Sequence, residues 1–234
     1  MKAKNHLIAL FILLTSVSLS YGKAGSSNHI VVAPAVAGWY FRAISGYPAA
    51  ITFELVVLFK NGEYYEIGED PLETINLATA KSKYPKAWGT WKKQGATFYL
   101  TNYKSESNDY KLGEGNWFPA YAYTPAIKLK RVYERASGGD YGNGTSALTI
   151  SKIAFVDATR FTEGMNAGIS TSNAAAGKRT SANGTYKITG NMITLTYNDG
   201  KVVKKSFALG ASGSPAKPTN TMIFIGGQPY TDED

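Results

Sequence analysis

The chain contains no cysteine. Disulfides, thiolate metal ligands and thiol nucleophiles are therefore excluded, as is the lipid-bearing cysteine of a bacterial lipoprotein. Histidine is almost as scarce: His6 and His29 are the two present, both near the N-terminus. A histidine general base or a histidine-rich metal site in the folded body is not expected. No serine sits in a Gly-x-Ser-x-Gly elbow. Arginine-rich runs and helical basic stripes are missing too, despite a net charge of +8. The basic residues are scattered along strand-like segments, as at Lys201, Lys204 and Lys205, so no nucleic-acid partner is expected.

Long apolar runs are equally rare. The one at Leu7 to Val17 is too short to cross a bilayer as a stable helix. It follows Lys2 and Lys4 and precedes small residues, the pattern of a signal peptide over 1–22 cleaved after Gly22. A small-residue lead over 23–29 is expected to be disordered. The mature chain is then secreted or periplasmic, with no transmembrane segment after cleavage.

What the chain has in quantity is tyrosine (16 residues) and glycine (24 residues), which suit strands and tight turns. Asn183 to Gly200 shows the pattern most clearly. Asn-Gly, Gly190-Asn191 and Asp199-Gly200 punctuate two short alternating runs, and such residues tolerate the backbone conformations of hairpin turns. Ala50 to Lys60 is the most apolar strand, turned by Asn61-Gly62. One short helix is predicted at about 71–81, with Asp70 as cap, Pro71 in its first position and Glu73 closing a capping box. A period of two predicts a core of Trp39, Phe53, Leu55, Val57, Phe59, Trp91, Phe98, Leu100, Ile153, Phe155, Tyr186, Ile193, Leu195, Phe207, Ile223 and Ile225.

Three blocks recur in the same order. Gly89 to Thr101 matches Gly184 to Thr196, sharing Gly89/Gly184, Thr90/Thr185, Lys92/Lys187, Gly95/Gly190, Leu100/Leu195 and Thr101/Thr196. Phe59 to Tyr65 aligns with Phe155 to Phe161, and Tyr40 to Gly46 with Tyr133 to Gly138. A tandem duplication follows, with halves at about 33–124 and 125–231 of a single domain over 30–231. Each half offers short strands between turn residues. The expected fold is all-β, an antiparallel up-and-down barrel built from both meander repeats; two small tandem barrels are the alternative. The connection Thr162 to Asn183, rich in small residues, is expected to be mobile.

The pattern of Gly184-Thr185-Tyr186, Leu195-Thr196-Tyr197 and Ile223 to Gly227 resembles a widespread set of uncharacterised secreted bacterial proteins, which are similar to lipocalin-type meander barrels. The resemblance implies a closed barrel and no particular activity.

No catalytic, metal or cofactor site is read from the sequence. Asp157 and Asp199 look like turn residues rather than calcium ligands. Glu54 lies in an apolar strand and is expected to face outward with Thr52. The candidate ligand-binding residues are Trp39, Arg42, Trp117, Tyr121, Tyr123 and Arg135. Arg42 and Arg135 match across the repeat; they either meet an acidic ligand in a barrel mouth or stack on aromatic residues to close the barrel end. The stretch Trp117 to Tyr123 is the densest aromatic run and a candidate lining for a small apolar or sugar-like ligand. The expected function is non-enzymatic binding, with an unknown small molecule or an envelope or host surface component as partner. A structural or adhesive module and a carboxylate-dependent hydrolase are the alternatives.

Overall fold

Strand runs and turn residues alternate along the chain, and each turn folds one strand back on the last. A computed structural model describes residues 34–45, 51–129 and 131–233. The expected signal peptide over 1–22 and the expected lead over 23–29 lie outside the described residues. Seven strands form a first sheet: β1 (Val36–Ser45), β2 (Ile51–Phe59), β3 (Glu63–Glu66), β4 (Trp88–Gln94), β5 (Thr97–Thr101), β6 (Ser107–Lys111) and β7 (Trp117–Pro119), in the order β6-β5-β4-β3-β2-β1-β7. The next eight close into a barrel: β8 (Val132–Gly142), β9 (Thr145–Phe155), β10 (Arg160–Ser170), β11 (Ala175–Thr189), β12 (Met192–Tyr197), β13 (Val202–Ser212), β14 (Lys217–Ile225) and β15 (Gln228–Asp232). All pairings between these strands are antiparallel. The all-β reading and the tandem meander are thus what the chain forms.

The two copies agree pair for pair. Thr90 faces Thr101 and Trp91 faces Leu100, as Thr185 faces Thr196 and Tyr186 faces Leu195. Tyr40 faces Val56 as Tyr133 faces Ile153. The middle block slips by one residue from the sequence alignment. Leu58 opposite Tyr64, not Phe59, corresponds to Phe155 opposite Phe161. Among the described residues of the first copy nothing corresponds to β14. The turn that links its edge strands β6 and β7 carries a Lys111–Glu114 bridge and a 3.2 Å hydrogen bond from Gly113 N–H to the Trp117 carbonyl.

Each copy encloses its own apolar interior, so the strands do not share one barrel: the tandem arrangement is the one found. Val56, Leu58, Tyr64, Phe98, Leu100, Tyr110 and Trp117 fill the first, and Tyr133, Ile153, Phe155, Phe161, Ile193, Leu195 and Phe207 the second. A third cluster lies in the seam between copies, where Phe41, Leu55 and Val57 meet Ala208 and Phe224; the Phe41 and Phe224 rings are 5.1 Å apart. Strand β13 at its centre, and β2 and β14 toward their C-terminal ends, are therefore buried on both faces, which a reading by period of two underestimates. Of the expected core, Trp39, Phe53, Trp91 and Tyr186 are only partly buried, and the others are buried.

The seam is stitched by Ser206. Its hydroxyl donates to the Gly68 carbonyl at 2.7 Å and its N–H to the Glu69 carbonyl at 2.9 Å. The Gly226-Gly227 turn between β14 and β15 approaches the same segment so closely that a Cβ on Gly227 would overlap the Ile67 carbonyl oxygen; both glycines have positive φ. This turn needs glycine for space as well as for conformation.

Two expectations about connections change. The helix, α1, runs over Leu77–Lys83, capped by Asn76, whose side chain accepts from Thr79 N–H at 3.0 Å. The Asp70-Pro71 signal makes a turn instead, closed by Thr74 N–H to the Pro71 carbonyl. The segment Thr162 to Asn183 is no loose connection: it extends β10 and β11 as a continuous ladder from Arg160–Thr185 to Ser170–Ala175. With β8 and β9 it forms a four-stranded wall that continues past the residues β8 shares with β15 and β11 with β12. Small residues such as Ala167, Gly168, Ala176 and Gly177 suit close strand contact here as well as they suit a loop.

Candidate functional site

Arg42 lies on β1 with its side chain on the inner face of the first copy, beside Tyr40. Its Nε donates to Glu54 Oε2 at 2.7 Å, and Nη2 reaches Glu66 Oε1 at 2.6 Å. Nη1 donates to the Tyr110 hydroxyl at 3.3 Å, and the guanidinium lies near the Tyr64 and Tyr110 rings. The side chain is 12% exposed. Burial alone would lower its pKa, but the charges of Glu54, Tyr110 and Glu66 outweigh that and hold it above its ordinary value. Glu66 moves the other way from a free carboxylate: burial first, then the Glu54 charge, push it up to about 7, against the pull of Arg42.

The outward placement expected for Glu54 is overturned. Its partners across the ladder, Arg42 on one side and the Val56–Glu66 pair one step along, share the inner face, so it points inward. The apolar neighbours Phe53 and Leu55 belong to the seam instead. Two acidic side chains do converge, but Arg42 engages both. Arg42 lies about 6 Å from two aromatic ring centres, but its direct partners are the two carboxylates and the Tyr110 hydroxyl.

The other candidates scatter. Trp39 packs on the seam. Trp117 is fully buried in the first interior, stacked on Tyr40 at 4.9 Å between ring centres and against Tyr110 at 5.0 Å. Neither is placed to meet a ligand in a mouth. Tyr123 sits edge-on to Phe207 and, with Ile127 and Leu129, packs on the second interior. Arg135, the counterpart of Arg42, faces Ser151 across the ladder, borders a groove along β8 and forms no ion pair among the described residues. Asp157 and Asp199 are turn residues as read: Asp157 Oδ1 accepts from the N–H groups of Thr159 and Arg160, and Asp199 Oδ1 from that of Lys201.

Tyr121 is different. It bridges to Leu209, and its hydroxyl donates to the Ala216 carbonyl at 2.8 Å. With Phe118 and Pro119 it lines a cleft of about 570 Å³ where β7 meets the β13–β14 hairpin. Leu112, 46% exposed, forms the outer lip, and Ser212 to Ala216 form the far wall. Half of the aromatic stretch singled out from the sequence therefore lines a cavity, and the other half is core. Sequence reading missed the far wall, because Gly210 to Ala216 is brought to Tyr121 only by the docking of the copies.

A second groove of about 520 Å³ runs along β8 from Glu134 to Gly138 and is bounded by Phe53, Met222 and Pro229. A third, of about 260 Å³, opens at the mouth of the second copy, with Ser151, Ile153, Glu163, Met165, Thr180, Leu195, Lys205 and Tyr230 among its lining. Among the described residues no three His, Cys, Asp or Glu side chains gather as a metal site would require. No helix of the described residues is long and apolar enough to cross a membrane. The chain matches no protein-family model, no curated protein and no solved structure.

Proposed function

We propose that the protein is an exported, non-enzymatic binding protein, and that it holds a small apolar or sugar-like ligand in the cleft between its two copies. The supporting observation is the 570 Å³ cleft, of a size small molecules use, with Phe118 and Tyr121 offering aromatic faces and the Ser212–Ala216 backbone offering polar groups. The cleft stands at the seam rather than in a barrel mouth. Fluorescence titration with N-phenyl-1-naphthylamine, a neutral aromatic probe, tests this. Enhancement that saturates and is lost in Phe118→Ala and Tyr121→Ala supports the cleft; unchanged binding in both variants sinks it.

The hydrolase reading draws on the convergence of Glu54 and Glu66, with Glu66 holding a proton near neutral pH. Arg42 stands between the two carboxylates, and neither lines any of the cavities described above. The pair is read as a structural ion cluster.

A further inference from the structure

The duplication allows one copy to be used as a control for the other. Cross-strand register sets Arg42 against Arg135, Glu54 against Ser151, Glu66 against Glu163 and Tyr110 against Lys205. In the first copy one positive charge faces two carboxylates, and the hydrogen bonds of Arg42 are made within the protein. In the second copy the balance is reversed, with two positive groups and one carboxylate. Glu163 accepts from the Tyr197 hydroxyl at 2.8 Å and makes no ion pair with Arg135 among the described residues. Among the described residues Lys205 pairs only with Glu69, which is 65% exposed, so that pair is screened by water.

The second cluster also borders space. Arg135, Ser151, Met165 and Thr180 are successive partners across β8, β9, β10 and β11, and so lie in one row on the inner face. The last three of them line the 260 Å³ cavity, as do Lys152, Glu163 and Lys205; Arg135 stands at the end of the row, faces Ser151 and also borders the groove along β8. Its floor is apolar: Ile153, Leu195 and Ile225, with Tyr230 at the side. We infer that the mouth of the second copy binds a small organic carboxylate, its head group held by Lys205 and the Ser151 hydroxyl with Arg135 reaching it from across the β8–β9 ladder, and its apolar body on Ile153 and Leu195. Replacing Glu54 by serine at the matching position removes the internal counter-ion and leaves a hydroxyl donor in its place. Lys152, which also lines the cavity, is already paired with Glu134 and Glu233, so Arg135, Lys205 and Glu163 leave a single excess positive charge that suits a monoanion; a dianionic phosphate would set surplus negative charge against Glu163. The volume equals that of about eight or nine waters, so the ligand has on the order of ten heavy atoms. The site is distinct from the neutral cleft proposed above, and either can fail without the other.

Isothermal titration of the mature chain with benzoate, and with the uncharged benzamide as control, tests the assignment. Benzoate is expected to bind and to raise the melting temperature, and benzamide to do neither. Arg135→Gln is expected to weaken benzoate by about tenfold or more, the loss of a charge-assisted bond. Ser151→Glu, which rebuilds the Arg42–Glu54 arrangement in the second copy, is expected to do the same without loss of stability. Equal binding of benzamide, absence of any benzoate effect on the unaltered chain, or full affinity in Ser151→Glu each overturns it.

Discussion

Gly89 and Gly184 hold the same place in the two copies. A Cβ on Gly89 would overlap the Thr101 carbonyl oxygen across its hairpin, and one on Gly184 would overlap that of Thr196. Neither glycine has the positive φ of a turn; both are needed because the neighbouring strand comes too close. By contrast Gly95 and Gly190, at the hairpin tips, have φ of 58° and 59° with open space around them.

The two kinds of glycine predict different costs. Gly184→Ala should destabilise by about 2–3 kcal/mol, since backbone must move. Gly190→Ala should cost about 1–2 kcal/mol, the left-handed conformation alone. Urea unfolding of both variants checks the order. Equal costs would mean that the close approach is absent.

Glu66 makes stability depend on pH. Its folded pKa of about 7 lies above the ordinary carboxylate value, so the folded state favours the protonated form. This contribution is complete below the unfolded pKa and is lost as pH rises through about 7. Glu66→Gln carries no such titration. The difference in melting temperature, variant minus unaltered chain, should increase between pH 5 and pH 8. A flat difference would place Glu66 among ordinary carboxylates.

The projecting wall of β8 to β11 should contribute little to stability. Leu148 and Ile169 are 51% and 49% exposed, and each to alanine should change unfolding free energy by no more than about 0.5 kcal/mol. Phe161, 1% exposed inside the same copy, should cost about 3–5 kcal/mol when cut to alanine. Chemical denaturation of the three variants checks the contrast. A large loss at Ile169 would show that the wall is packed against something.

Much of this was legible in the sequence because hairpins are local. Gly95, Gly190 and Asp199-Gly200 announce their turns, and the registers of β4–β5 and β11–β12 follow from turns two residues long. What depends on the seam was not legible. Val56 and Leu58 face one interior while Leu55, Val57 and Phe59 face the seam, so β2 has no polar side at its centre to mark its orientation. Glu54 reads as outward from the sequence for the same reason: nothing in the chain shows that Arg42 lies opposite. The Asp70-Pro71-Leu72-Glu73 signal is chemically a helix start, yet the helix begins at Asn76, whose side chain caps it. Of the candidate ligand residues, Arg135 borders the groove along β8, and Tyr121 lines the seam cleft through contact with Ala216, a residue that only folding brings near.

Arg42 and Arg135 offer the most direct test of one meander copied and then put to two uses. Arg42→Met leaves Glu54 and Glu66 facing each other without a counter-charge and should cost about 3–5 kcal/mol. Arg135→Met, at the same position of the other copy, should change stability by no more than about 0.5 kcal/mol. Urea unfolding of the two single variants at neutral pH reads this difference. Similar losses in both, or the larger loss at Arg135, would contradict the division of roles between the copies.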